Sequence, residues 1–451
     1  MAHITEKYFD ETVQTIAKSL RFDTTQKPAE DGCPFGKETA ACLDWFLKTA
    51  ESFGFQTKNY DNYIGEVIFG EGEEFAILAH LDVVPATGEW KFPPFSGAIN
   101  DAVSAGGVEG MKIWGRGAMD DKGPAICCLY ALKALKDEGF QPTRTIKLIV
   151  GCNEENGWEC IHHYNKVSSL PKEGFTPDAN FPVIYAEKGI LHVALHFPIE
   201  NSPFKTLDAG SAVNMVPDKA TALITKDAGA KLALYDGFTE LFYDNTTSIV
   251  NAYGKSAHGS TPHLGVNAFE KLLAFFKELN DDCKTAYEIL FNDSLGLTNI
   301  EDETGKLTFA PDVASFSGGV LTVKADIRIP STHTKEEVLA LFERAGVSFT
   351  ELRYQAPLYN DKNGKLVKTL SGVFTAVTGK TAEPIAIGGG TYARALQKGC
   401  GFGPEMDGDE NVLHQPNEYI TFAQIRLFNE IYYEAIKTLT KKNNSYTVAK
   451  I

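Results

Sequence analysis

The sequence has no run near the ~18 consecutive apolar residues that a membrane-spanning helix requires, so it encodes no helical span. Cysteine is scarce and scattered. None of the eight stands in a C-x-x-C pair, which excludes a thiolate zinc knuckle, and so few thiols in so long a chain make no disulfide framework. Reduced, mostly buried cysteines in the cytoplasm are the simpler expectation. Positive charge is also short, with 43 Lys and Arg against 59 Asp and Glu for a net −16. That balance repels nucleic acid and anionic membranes, so neither is an expected partner. No G-x-x-x-x-G-K-[ST] phosphate loop and no short-period repeat is present. The opening "MAHITEKYFDETVQTIAKSL" reads as an amphipathic helix containing acids rather than a signal peptide.

At 451 residues the chain exceeds what one hydrophobic core organises, and two domains are expected. Its first part alternates helix and strand: a helix over 36–53, strands "GEVIFG" and "EFAILAHLDVV", a helix after Asp121, and strand "TIKLIVGCNEE". This pattern predicts an α/β fold with a mostly parallel central sheet and flanking helices. From about Lys188 the pattern becomes two-faced strands ("ILHVALHF", "TSIVNAYGKSAH", "GVLTVKADIRIP") separated by helices, the signature of an inserted α+β module. Helix-rich α/β character returns near Lys365. The boundaries so read are 1–187 for the first part of the catalytic domain, 188–362 for the insert and 363–451 for the second part. The polar end "KKNNSYTVAKI" reads as loosely held.

Three strand ends carry the chemistry. "FAILAHLDVVP" closes on His80 and Asp82, which, two apart on a strand, project from the same face and can act together. "IWGRGAMDDKGP" brings Asp120 and Asp121 to the mouth of an apolar helix, where capping is the plain alternative. "TIKLIVGCNEE" ends in Glu154 and Glu155, a costly pairing unless a cation neutralises them or one keeps a proton. Open parallel sheets gather ligands at such ends. Mixed imidazole and carboxylate sets suit zinc, manganese or cobalt. Five or six such groups suit two divalent ions about 3.5–4 Å apart with a shared carboxylate and hydroxide. Asp120 is the expected bridge.

"HLDVVP", "GRGAMDDKGP", "NEENGW" and "HQPNEY" resemble the successive signatures of the co-catalytic dizinc peptidases, which include aminoacylases, glutamate carboxypeptidases and desuccinylases. "FPVIYAEKG", "SAVNMVPD", "GKSAHGSTPHLGVNA" and "GGGTYARAL" are similar to the bacterial V-type, carnosinase-like dipeptidases within that family. The resemblance runs from about residue 10 to 440. It implies a zinc-exopeptidase-like fold with the insert as a lid, and His80, Asp120, Glu155, Asp178 and His414 as metal ligands. It further implies that Asp82 orients His80, that Glu154 is the general base for a water held by the two metals, and that the Asp120–Asp121 peptide is cis. By "PDAN" alone, Asp178 reads equally well as part of a turn.

In the insert the resemblance makes His258 the group that steadies the developing oxyanion, and Asn214 a substrate contact. Arg328 shares a strand face with Lys324 and Asp326, opposite Val323, Ala325, Ile327 and Ile329. There it could clasp a substrate carboxylate or sit in a surface ion pair. Gly389 and Gly390 are read as a backbone turn presenting N–H groups to substrate. If Arg328 or Asn214 anchors the carboxylate and an acid such as Asp178 meets the free amine, only a two-residue substrate fits. The expected function is therefore a metal-dependent dipeptidase acting on small peptides. A deacylase or desuccinylase of N-acyl amino acids is the alternative, and a metal-binding protein without turnover would have no need of a base. The size of the insert suggests a monomer.

Overall fold

The computed structural model describes residues 3–100, 106–233 and 240–441; the polar end at 442–451 lies outside them. Contacts divide the chain into two units. The first comprises Met1–Tyr185, Asn360–Ile385 and Thr391–Ile451, and the second comprises Ala186–Tyr359 with Ala386–Gly390.

The first unit is built on a sheet containing β1 (Gln56–Tyr60), β2 (Ile64–Phe69), β3 (Glu73–His80), β4 (Arg144–Gly151), β5 (Glu173–Thr176) and β6 (Lys398–Gly401). Their spatial order is β1-β2-β4-β3-β5-β6. The centre is parallel, through the pairs β4–β3, β3–β5 and β5–β6, whereas β1–β2 and β2–β4 are antiparallel. Phe75 to Ala79 of β3 and Leu148 to Val150 of β4 are fully buried, as expected of strands covered on both faces. Register then fixes the site. His80 stands opposite Gly151, and Ala76 and Ile77 stand opposite Gly174 and Phe175. The carboxyl ends of β3, β4 and β5 therefore open along one edge, with Asp178 continuing to the level of His80.

Helix α1 (Phe9–Ser19) follows a short 3-10 turn at Ile4–Tyr8, and α2 (Lys37–Ser52) and α3 (Lys122–Asp137) follow. Helix α3 packs against β3, α1 and the C-terminal helix Phe422–Thr440. Its residues Lys122 to Leu132 are all buried, so the stripe of Ile126, Leu129 and Leu132 belongs to a helix covered all round. Gly123 permits the tight entry, since a Cβ there would lie 2.1 Å from the Ala118 carbonyl oxygen.

The second unit is an eight-stranded sheet joined by antiparallel pairs, with strand Val320–Ile329 between Thr308–Ser317 and Gly189–Pro198. Its core joins Val323, Ala325, Ile327 and Ile329 to helices Ala268–Phe276 and Asp281–Leu290. Asn267 caps the former, its side chain accepting from the Phe269 and Glu270 N–H groups. No helix among the described residues is long and apolar enough to cross a membrane.

Candidate metal centre

His80 is the last residue of β3, and its ring is fully buried. Its Nδ1 donates to the main-chain oxygen of Asp82 at 3.0 Å, which leaves Nε2 as the ring atom available to a metal. That nitrogen faces Asp120 Oδ1 at 2.9 Å and Asp178 Oδ2 at 3.4 Å. On the other side His414 Nε2 lies 2.8 Å from Asp120 Oδ2 and 3.1 Å from Glu155 Oε1. The two oxygens of Asp120 thus address two different sets of groups. Ligand atoms of His80, Asp120 and Glu155 lie within 4.8 Å of one another, as do those of His80, Glu154 and Asp178.

Two details depart from the sequence expectation. The strand stops at His80, so Asp82 does not share a strand face with it. Its carboxylate lies 3.6 Å from His80 Nδ1, too far for a hydrogen bond. It accepts instead from the Glu154 and Glu155 backbone N–H groups at 2.9 and 3.1 Å. Asp82 therefore steadies His80 through its main chain and the acidic pair through its side chain. Asp121 sits at the N-cap of α3 but makes no capping bond; its carboxylate accepts from the His80 backbone N–H at 3.1 Å. The Asp120–Asp121 peptide is cis.

Sequence reasoning missed Glu418. It is fully buried, and its carboxylate accepts from Arg116 Nη1 at 2.7 Å and from the N–H groups of Gly117, Met119 and Asp120 at 3.1, 2.8 and 3.2 Å. The one available signal was its place in "HQPNEY", four residues after His414. Trp158 also escaped notice; its indole N–H donates to Glu154 Oε1 at 3.1 Å.

The electrostatics test whether cations suit this place. Burial, followed by the charge of Asp120, pushes Glu155 up to about 7. The same two causes raise Asp178. Burial raises Glu154 well above the usual carboxylate range, with the charges of Asp178 and Glu155 adding to it against the pull of His80. Hydrogen bonds to Asp120 and Glu155 drive His414 up to about 11. His80 Nε2 and Asp120 Oδ1 are buried without a hydrogen-bond partner. Mixed oxygen and nitrogen donors that converge, two of them buried without a hydrogen-bond partner, fit divalent cations.

The remaining sequence candidates, Asn214, His258, Arg328, Gly389 and Gly390, lie in the second unit. His258 Nδ1 accepts from the Ser260 backbone N–H at 3.1 Å, so the ring proton resides on Nε2. Burial, then the charge of Arg328, lowers its pKa and keeps the ring neutral. The carbonyl of Asn214 accepts from the Gly259 N–H at 2.7 Å. Arg328 is buried, paired with Asp326, and donates from Nη1 to the Gly388 carbonyl at 3.0 Å, so it is no surface ion pair. Gly389 and Gly390 directly follow that acceptor.

The chain is similar to several known proteins. The Bacillus subtilis protein "Putative dipeptidase YtjP" is 35% identical, the match covering 94% of this chain and 95% of that protein. The Staphylococcus saprophyticus protein of the same designation, SSP1012, is 33% identical over 90% of this chain and 92% of its own length. The fold is similar to that of human carnosine dipeptidase 1 (TM-score 0.55, 14% identity, 96% and 97% of the two chains). It is also similar to that of the di-peptidase Dug1p of Saccharomyces cerevisiae (TM-score 0.56, 13% identity, 97% and 98%). A family description matches residues 76–438, a span that contains every acid and imidazole of the centre, and the chain belongs to peptidase family M20/M25/M40.

Proposed function

We propose that this protein is a metal-dependent dipeptidase that hydrolyses unblocked dipeptides at a centre holding two divalent cations. The observation that carries the reading is Asp120, whose two oxygens face His80 with Asp178 and His414 with Glu155. Those five residues would hold the ions, zinc in the first instance with manganese or cobalt as alternatives. When bound, such ions acidify water and polarise a carbonyl.

The chain's own residues supply the rest. Glu154, one oxygen fixed by Trp158, takes the proton of the attacking water and delivers it to the leaving amine. Asp82 holds the backbone of the Glu154–Glu155 turn, so that the base and its neighbouring ligand keep separate directions. His258, with its proton on Nε2, donates to the carbonyl oxygen as charge develops there, an effect worth about 3–4 kcal/mol per well-placed donor. Arg328 clasps the substrate carboxylate, and Asn214, Gly389 and Gly390 complete substrate binding. Support comes from the family, from relatives designated as dipeptidases, and from the convergence at Asp120. We assign a monomer in the cytoplasm, a location supported by cysteines that all remain thiols.

The test combines metal analysis of the purified protein with rates on free and N-acylated dipeptides. Two equivalents of metal and a preference for free dipeptides are expected. A preference for N-acyl amino acids would reassign the chain to deacylation, and stable metal without turnover would remove the enzyme reading.

A further inference from the structure

The second unit buries a carboxyl group that the proposed chemistry does not use. Asp312, on strand Thr308–Ser317, is fully buried, and neither of its oxygens receives a hydrogen bond. Asp326 and Arg328 face it from strand Val320–Ile329, and the loop carrying His258 and Gly259 packs over them. A Cβ built at Gly259 would lie 2.5 Å from Asp326 Oδ2 and 3.1 Å from Asp312 Oδ2, so both oxygens crowd one point. From the opposite strand His192 Nε2 approaches Asp326 Oδ1 at 3.7 Å.

Asp326 is fully buried too, and Arg328 engages it side-on, Nε to Oδ1 at 2.8 Å and Nη2 to Oδ2 at 2.6 Å. With Nη1 donating to Gly388, three of the five N–H donors of Arg328 are occupied and two remain for a ligand. One guanidinium balances one carboxylate. A second ionised carboxylate beside them, buried and without a donor, is untenable while a proton can neutralise it.

We infer that Asp312 carries a proton at neutral pH, and that it is a positioning residue whose neutral form lets Arg328 hold the substrate carboxylate. This rests on the reading of Arg328 as the carboxylate clasp. Burial first, then the charge of Asp326, pushes Asp312 up to about 8 against the pull of Arg328. Burial lowers both His258 and His192, so neither ring changes charge in that range. Below about 8 the group Asp312, Asp326 and Arg328 carries no net charge; above it, one negative charge stands beside the clasp. Affinity for an anionic substrate is therefore full on the acid side and falls as pH rises through that value.

The experiment measures KM and kcat of the metal-loaded enzyme on one neutral dipeptide from about pH 6.5 to about 9.5, for the wild type and for Asp312→Asn. The substrate's amine and the metal centre titrate alike in both proteins. KM of the wild type should rise roughly five- to tenfold more than that of Asp312→Asn, the size expected of one added charge at partly screened distance, with superimposable kcat profiles. In parallel, the infrared carbonyl band of a buried carboxylic acid should be present at neutral pH in the wild type. It should vanish near the same midpoint as the KM change, be absent in Asp312→Asn, and titrate at lower pH in Asp326→Asn. Parallel KM profiles, or no such band in the wild type, overturn the proposal. Arg328→Met separates the two layers. Parallel profiles alongside a raised KM in Arg328→Met defeat the role of Asp312 alone, whereas an unchanged KM in that variant defeats the clasp and this inference with it.

Discussion

Glu154 and Glu155 are neighbours that the structure gives different surroundings. Asp82 accepts from both of their N–H groups, Trp158 holds Glu154, and His414 meets Glu155. In the proposed mechanism a base and a ligand stand side by side because the turn, rather than either side chain, sets their directions. Glu154→Gln keeps the shape and the indole bond while removing the proton acceptor. It should retain both metals and lower kcat by about 10³-fold or more, read by steady-state kinetics beside metal analysis. Asp82→Asn keeps an acceptor for only one of the two N–H groups; activity should fall about 10–100-fold with metal affinity weakened, measured by titration with a competing chelator. Full activity in either variant would remove that residue from its assigned role.

At the scale of elements, three parallel strands and one loop do the assembling. The parallel register puts His80 beside Gly151 and so brings the β3 and β4 ends together, and Glu418 ties the loop after His414 to the backbone of Gly117, Met119 and Asp120. Glu418→Gln leaves Arg116 buried without its counter-charge. The cost should be about 3 kcal/mol in chemical unfolding, with weaker metal retention; a variant as stable as the wild type would show that the tie is dispensable. Much of this scaffold was legible. The apolar runs of β3 and β4 are long enough to read as buried strands, and the acids follow them. The end of β3 was not, because Leu81, Asp82 and Val83 stay buried after the strand stops and Leu81 still donates to Gly151. Hydrophobicity therefore marks no boundary there. Glu418 was hidden for another reason: its partners lie about three hundred residues away, and no spacing rule reaches so far. Asp326 and Arg328 sit on a face that alternation assigns to solvent, yet both are buried, since the loop at Gly259 covers them.

At the scale of the molecule, an acidic chain concentrates carboxylates where it must also fold. Chelation should abolish activity and lower the thermal midpoint, because ions that bind only the folded state stabilise it in proportion to the logarithm of their excess over Kd. Restoring zinc, manganese or cobalt should return both, and calorimetry with and without chelator reads the difference. A substrate recognised at both its amine and its carboxylate should be a dipeptide, with tripeptides cleaved at least about tenfold more slowly by kcat/KM. Equal rates on both would end the size argument without touching the metals. The most direct test of a two-ion centre is anomalous diffraction from crystals grown with the native metal. The expected result is two peaks, one against each carboxylate oxygen of Asp120, the first shared with His80 and Asp178 and the second with His414 and Glu155. A single peak, or metal bound away from Asp120, would contradict it.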